Sequence, residues 1–335
     1  MSNVMRHHGC RSCRLHCART SVGPVRLGLP GEPGGSGPAA LAWRRDPERG
    51  WVRRPPLAVT TPAQPGPSAL GGIAALCERS LADPPSAAEL DGALFAEEQP
   101  AVVLGDPATG VIAVVECDDG AHIRLLAVDP SCRGRGLGHA LVQGAEDWAV
   151  AAGHGALFTG ADPPYFLWPG VPVAETSLVC LFERRHYSRS DTNFNMEIDL
   201  HTIPDDPGGH RLAGTDDAAE LDDWMASHWS NWRLEVLRAL DKGNLVIARE
   251  GGTSGPLTAF CAFEVNRRGV LGPVAVRPDL MGRGAGKGVL LGALHELRRR
   301  GAQRVAVLWV GPVVPYAAVG GRVSDVFFVY RKELA

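Results

Sequence analysis

Leu126-Ala127-Val128-Asp129-Pro130-Ser131-Cys132-Arg133-Gly134-Arg135-Gly136-Leu137-Gly138 decides the fold, because the chain writes it twice. The second version is Val274-Ala275-Val276-Arg277-Pro278-Asp279-Leu280-Met281-Gly282-Arg283-Gly284-Ala285-Gly286-Lys287, each position 148 residues after its counterpart. The same offset joins Gly144 to Gly292 and Gly153 to Gly301. A domain-sized unit present in two copies explains this spacing.

Working outward, both copies share one local grammar. An apolar run (His122 to Val128; Gly269 to Val276) reads as a strand, and a proline two residues later ends it. After the glycines, Leu137, Ala140, Leu141, Ala145 and Trp148 fall at helical spacing, as do Val289, Leu290, Ala293, Leu294 and Leu297. Gly153 and Gly301 stop these helices, and Ala156 to Thr159 and Arg304 to Val310 read as further strands. Each glycine cluster therefore opens a helix N-terminus, where unpaired N–H groups and the helix dipole suit a phosphate.

Spacing excludes two common phosphate binders. A dinucleotide loop needs glycine where the chain has His139 or Leu141, and Lys287 or Val289 in the second copy. A P-loop ending at Gly286-Lys287 would need glycine at Met281 and a hydroxyl at Gly288.

Arg133-x-x-Gly136-x-Gly138, placed after a strand and before a helix, resembles the acetyl-CoA loop of the GNAT acetyltransferase superfamily. The resemblance covers roughly residues 66–335, twice over. It implies a mixed α/β fold: two GNAT-like domains, each with a mixed central sheet flanked by helices. It also implies acetyl-CoA as co-substrate, held by Leu126, Ala127, Val128, Arg133, Gly134, Arg135, Gly136, Leu137 and Gly138. The second set is Val274, Ala275, Val276, Gly282, Arg283, Gly284, Ala285, Gly286 and Lys287, with Met281 where the first copy has Arg133. The family's Y-x-x-x-G-F pattern, whose tyrosine protonates the departing thiolate, is matched at Tyr316 and Gly320. The first copy has Phe182 there, and a phenyl ring has no proton to give. These residues imply N-acetylation of a small-molecule or peptide primary amine in the C-terminal copy. Tyr316 is the expected acid, and Glu264, at a strand end, the expected base. A non-catalytic acyl-CoA sensor and catalysis in the N-terminal copy stand as alternatives.

Between glycine loop and acid, the first copy carries 14 additional residues around Pro163-Pro164-Tyr165-Phe166-Leu167-Trp168-Pro169-Gly170-Val171-Pro172. An aromatic, proline-stiffened insertion of this kind can wall a substrate pocket or pack between the two domains, and packing is the favoured reading because aromatic loop residues are more often buried than ligand-binding. Leu221 to Leu240 reads as helical, with Trp224 and Trp232 on one face.

Composition sets the outer bounds. The chain has 335 residues, 45% hydrophobic and 21% charged, with net charge −3. Neither a membrane span nor a nucleic-acid partner is expected from these values. Residues 1–65 hold ten Arg against Glu32, Asp46 and Glu48, a local charge of +7. Dense in Gly and Pro, this segment is expected to be a disordered tail. Domains at 66–203 and 210–335 follow, joined by a linker at 204–209. The eight cysteines read as reduced thiols of a cytoplasmic protein. His7, His8, Cys10, Cys13, His16 and Cys17 offer metal-ligand chemistry, but without a second ligand pair no metal is expected.

Overall fold

Why β strands dominate the centre of this chain is plain from runs such as Val111 to Val115, apolar at every position and buried on both faces. A computed structural model describes the backbone of residues 43–46 and 50–53, and residues 64–334 apart from 161, 253 and 283. β1 (Trp43–Asp46) and β2 (Gly50–Arg53) pair as an antiparallel hairpin, inside the segment expected to lack regular structure. The remainder of that segment up to residue 63, with its Cys and His cluster, lies outside the described residues.

The first copy runs α1 (Leu70–Ser80), α2 (Ala87–Phe95), β3 (Val102–Asp106), β4 (Gly110–Cys117) and β5 (Gly120–Val128). It continues with α3 (Leu137–Ala151), β6 (Ala156–Thr159), β7 (Val171–Pro172), α4 (Thr176–Arg184) and β8 (Ser188–Asp199). A reciprocal Ser86–Glu89 capping box starts α2.

The second copy repeats the order: β9 (His210–Leu212), α5 (Ala218–His228), α6 (Arg233–Asp241), β10 (Leu245–Arg249), β11 (Leu257–Phe263) and β12 (Val270–Val276). Then come α7 (Ala285–Arg299), β13 (Arg304–Val307), α8 (Val313–Ala317) and β14 (Arg322–Glu333). Contrary to expectation, Leu221 to Leu240 is not one helix. The backbone breaks at Trp229 (φ −144°, ψ 59°), so Trp224 and Trp232 reach one apolar cluster from different elements.

Both copies share one twelve-stranded sheet, ordered β3-β4-β5-β6-β14-β8-β13-β12-β11-β10-β9, with β7 beside β14. The chain order does not divide at the 204–209 linker. β8, from the first copy, pairs with β13 of the second, and β14, from the second, pairs with β6 of the first. The exchange is symmetric. Asp199 opposes Arg304, and Glu333 opposes Ala156; the β8 and β14 partners are 134 apart, which is the 148 offset less the 14-residue insertion. Between them β8 and β14 form a long antiparallel seam from Arg322↔Glu197 to Arg331↔Ser188.

Apolar clusters cover both faces of each half. In the first, Ile73, Leu76, Leu90 and Leu94 of α1 and α2 cover one face, and Leu141, Val142 and Ala145 of α3 the other. In the second, α5 and α6 bury Leu221, Met225, Val236 and Leu240, while α7 buries Val289, Leu290, Leu294 and Leu297. The mixed α/β architecture expected from the sequence is present twice.

Candidate active site

The two glycine loops have nearly the same backbone. Gly134 and Gly282 have φ of 69° and 78°, and Gly136 and Gly284, which cap α3 and α7, have 89° and 92°. Side chains rarely adopt this left-handed region, so glycine is required to turn the chain into the helix here. Gly286 serves packing instead, since an added Cβ would lie 2.9 Å from a Val276 methyl. Both helices thus start on left-handed glycines with first-turn amides of the kind that suit a diphosphate, and those of α7 line a cavity.

Arg133 is taken up by backbone carbonyls. Its Nε donates to the Val128 carbonyl (3.1 Å) and its Nη2 to the Ser80 carbonyl (2.7 Å), tying the loop to the end of α1. Arg79 and Asp129 add a second tie at 3.0 Å. In the second copy Met281 is largely exposed. Lys287 is exposed and lines a cavity of about 410 Å³ with Pro204, Gly208, His210 and Arg249. Arg283 lies outside the described residues.

Beyond the loops, strands part to leave a gap. β5 and β6 pair in parallel only over Ala121–Ile123 and Leu157–Thr159; β12 and β13 pair only at Val270↔Ala306 and Leu271↔Val307. The registers coincide at the 148 offset. The Arg277 amide donates to Thr258 (2.7 Å), and the Asp129 amide to Thr109 (2.9 Å). Antiparallel alternation then turns the Ala275 and Ala127 peptides toward β11 and β4. The peptides of Val274, Val276, Leu126 and Val128 face the gaps.

What fills each gap differs. In the first copy Arg124 and Asp162, both fully buried, form an ion pair there, and Arg124 also donates to Gln99 and Ala93. The Tyr165 ring lies 4.6 Å from the Arg124 guanidinium, and Tyr165 and Leu167 pack among α1 and α2 side chains. In the second copy, 148 positions on, stand Gly272 and Val310. A Cβ built on Gly272 would meet nothing within 4 Å. One gap holds a buried ion pair; the other has open space at Gly272 and a buried Val310 in its place.

Tyr316 and Phe182 occupy equivalent places on α8 and α4, 134 positions apart. His186, at φ 64°, repeats the turn that Gly320 makes at φ 94°. Phe182 is fully buried, stacked 5.7 Å from Tyr330 and edge-on to Tyr187 at 5.1 Å. Tyr316 is half-buried against the α7 face of the second copy. Burial, with Cys261 as a lesser cause, pushes its hydroxyl well above the usual tyrosine range, so it stays protonated.

Glu264 is not brought to Tyr316. It sits at φ 47° in the β11–β12 turn, where its carboxylate accepts from the Gly269 amide (2.9 Å). The turn lies beside Arg268, Arg300 and Arg304 near the C-terminal end of α7. The five residue steps from Gly269 to Val274 span at most about 16 Å at about 3.3 Å per step. The fold gives this carboxylate a turn-stabilising role.

Glu235 of α6 is a carboxyl that motif spacing did not single out. It is buried, accepts from Asn266 Nδ2 (3.0 Å), and is pushed up to about 8 by desolvation, with Arg238 opposing. Its only sequence signal is an acid amid Val236 and Ala239 on an apolar helix face. Among the described residues no group of three or more His, Cys, Asp or Glu could hold a metal, and no helix is long and apolar enough to cross a membrane.

A sequence model described as the acetyltransferase (GNAT) family matches residues 77–164 and again 210–318. No curated protein matches. Among solved structures, the chain resembles a GCN5-related glucosamine N-acetyltransferase region of a fungal multi-domain GH3 β-N-acetylglucosaminidase. That match has a TM-score of 0.67 at 19% identity, covering 84% of this chain and 39% of that one. A GCN5-related N-acetyltransferase from Sphaerobacter thermophilus gives 0.62 at 23%, over 82% and 95%. A tandem GNAT protein from the clavulanic acid biosynthesis pathway gives 0.62 at 16%, over 82% and 98%. At these identities the likeness is one of fold.

Proposed function

The chain belongs to the acetyltransferase (GNAT) family, and from that premise we propose that it transfers an acetyl group from acetyl-CoA to a primary amine, with the chemistry in the C-terminal copy. The observation that carries the assignment is the contrast between the two gaps. The second copy has a tyrosine at 316 and open space where a side chain on Gly272 would stand; at the equivalent positions the first copy has Phe182 and the Arg124–Asp162 pair.

In this reading the amides at the start of α7 hold the CoA diphosphate. The gap-facing Val274 and Val276 peptides take the pantetheine and polarise the thioester carbonyl. The amine nitrogen, entering neutral, attacks the carbonyl carbon, and the C–S bond breaks as the N–C bond forms. Tyr316 gives its proton to the leaving thiolate and is reprotonated from solvent water, to which the amine proton passes. Products are the N-acetyl amide and free CoA thiol.

The test is to supply a panel of amines with acetyl-CoA and follow the thiol. Amine-dependent release that falls in Tyr316→Phe supports the reading. CoA bound tightly without release for any amine favours the sensing alternative instead.

A further inference from the structure

Two aromatic residues stand in left-handed backbone without being glycine: Phe166 at φ 46° and Trp309 at φ 56°. Such conformations persist only where surroundings hold them, and they concentrate at ligand sites. Here the holding groups are visible. The Phe166 amide donates to the Asp162 carbonyl (2.8 Å), and the Trp309 amide donates to Asn195 Oδ1 on β8 (3.2 Å). The two rings meet edge-on at 5.9 Å, one from each copy.

Their neighbours place them on the α5–α6 side of the second copy's gap. Tyr165, next to Phe166, bonds through its hydroxyl to Arg238 of α6 (2.9 Å), and Asn266 joins the Pro164 and Tyr165 carbonyls to Glu235. Trp309 lies two residues past Val307, whose partner on β12 is Leu271, and so stands where β13 has left β12. Phe166 remains half-exposed while Tyr165 and Leu167 on either side are buried. The Trp309 indole N–H is enclosed and has no acceptor. A buried donor without a partner calls for an occupant that brings one.

We propose that Phe166, lent by the first copy, and Trp309 form the acceptor wall of the second copy, selecting an amine that carries an apolar or aromatic group with a carbonyl oxygen near its nitrogen. The proposal rests on the transferase reading above and names its substrate class. The ring pair supplies the apolar surface, and the indole N–H donates to the carbonyl. Polycationic acceptors find no match there. Of the carboxyls around the loop, Asp162 is paired with Arg124, Glu98 lies 3.7 Å from Arg238, and burial pushes Glu235 up to about 8.

The test uses the full chain with phenylalaninamide, 2-phenylethylamine, spermidine and glucosamine. Turnover is measured with acetyl-CoA, and amine binding by calorimetry in the presence of CoA. The expected order is phenylalaninamide, then 2-phenylethylamine, with the other two far behind. Phe166→Ala should raise KM and Kd for both aromatic amines about 10- to 100-fold while leaving KM for acetyl-CoA unchanged. Trp309→Phe keeps a ring but loses the donor, so it should penalise phenylalaninamide about 10-fold more than 2-phenylethylamine. Phe166→Leu, which keeps apolar bulk, guards against misfolding and should lose less than Phe166→Ala.

A wild-type preference for spermidine or glucosamine overturns the proposal, as does an equal loss for all amines in Phe166→Ala. Acetylation that survives both substitutions unchanged would leave the transferase reading standing and remove the wall. Binding with the expected order but no acetylation would keep the wall and remove the transferase reading.

Discussion

Tyr316 and Phe182 differ by one oxygen, and on the proposed mechanism that atom is the proton donor. Tyr316→Phe should lower turnover about 10²–10⁴-fold, the usual contribution of a positioned acid, with CoA affinity nearly unchanged by calorimetry. Because burial raises the Tyr316 hydroxyl above its ordinary range, the rate should show no alkaline fall near pH 10. The reciprocal Phe182→Tyr should create no activity. It places a hydroxyl in a ring stack with no exposure, at a cost of about 1–3 kcal/mol seen as a lower Tm. Glu235 gives a pH signature in stability. Its folded carboxyl titrates at about 8, above the ordinary 4.5, so its stabilising effect is full below pH 4.5 and fades as pH rises toward 8. Urea melts across this window should show falling stability, and Glu235→Gln should flatten the slope. Of these residues, Tyr316 was legible in the sequence because a motif fixes it relative to its loop. Glu235 was not, since its property comes from groups that surround it only after folding. Glu264 shows the same limit: a strand-end acid can face the reaction or cap its own turn, and in the structure its carboxylate accepts from the Gly269 amide.

At the level of elements, period and glycine placement gave β5 and β12 to within two residues at each end and located α3 and α7, although the periodic residues of α7 begin four positions inside it and the strand read as Arg304 to Val310 ends at Val307. Those features follow from local backbone preference. Pairing partners do not. β8 and β14 each complete the other copy's half of the sheet, so neither half has a closed core on its own. A chain ending before Arg322 should therefore lose cooperative unfolding altogether and aggregate, instead of losing only its second half. Intact protein should unfold in one urea transition by both circular dichroism and tryptophan fluorescence; two separated transitions would contradict the shared sheet. The insertion packs between the copies as expected, with Tyr165 between the guanidinium groups of Arg124 and Arg238 at 4.6 and 4.3 Å. Breaking the buried pair beneath it, as in Asp162→Asn, should cost about 3–5 kcal/mol, because Arg124 keeps its charge without its counter-ion.

Across the whole molecule, two similar loops and one open gap predict a division between binding and turnover. Calorimetric titration with CoA should give two sites. Gly136→Glu should remove one without affecting turnover, whereas Gly284→Glu should remove the other and abolish it. Loss of turnover in Gly136→Glu alone would move the chemistry to the first copy. What the sequence by itself determined is the duplication, the glycine loops at helix starts, the family, and that one copy carries a tyrosine where the other carries a phenylalanine. All of these are local, written in residue type and spacing, and read without knowing what lies opposite. Only the tertiary structure decided that the last strands are exchanged, that Arg124 and Asp162 close one gap while Gly272 leaves the other open, and that Arg133 braces its loop. The physical reason is that an apolar strand carries no address for its partner. Likewise, a charged side chain shows its role only once folding has fixed which groups, distant in sequence, surround it.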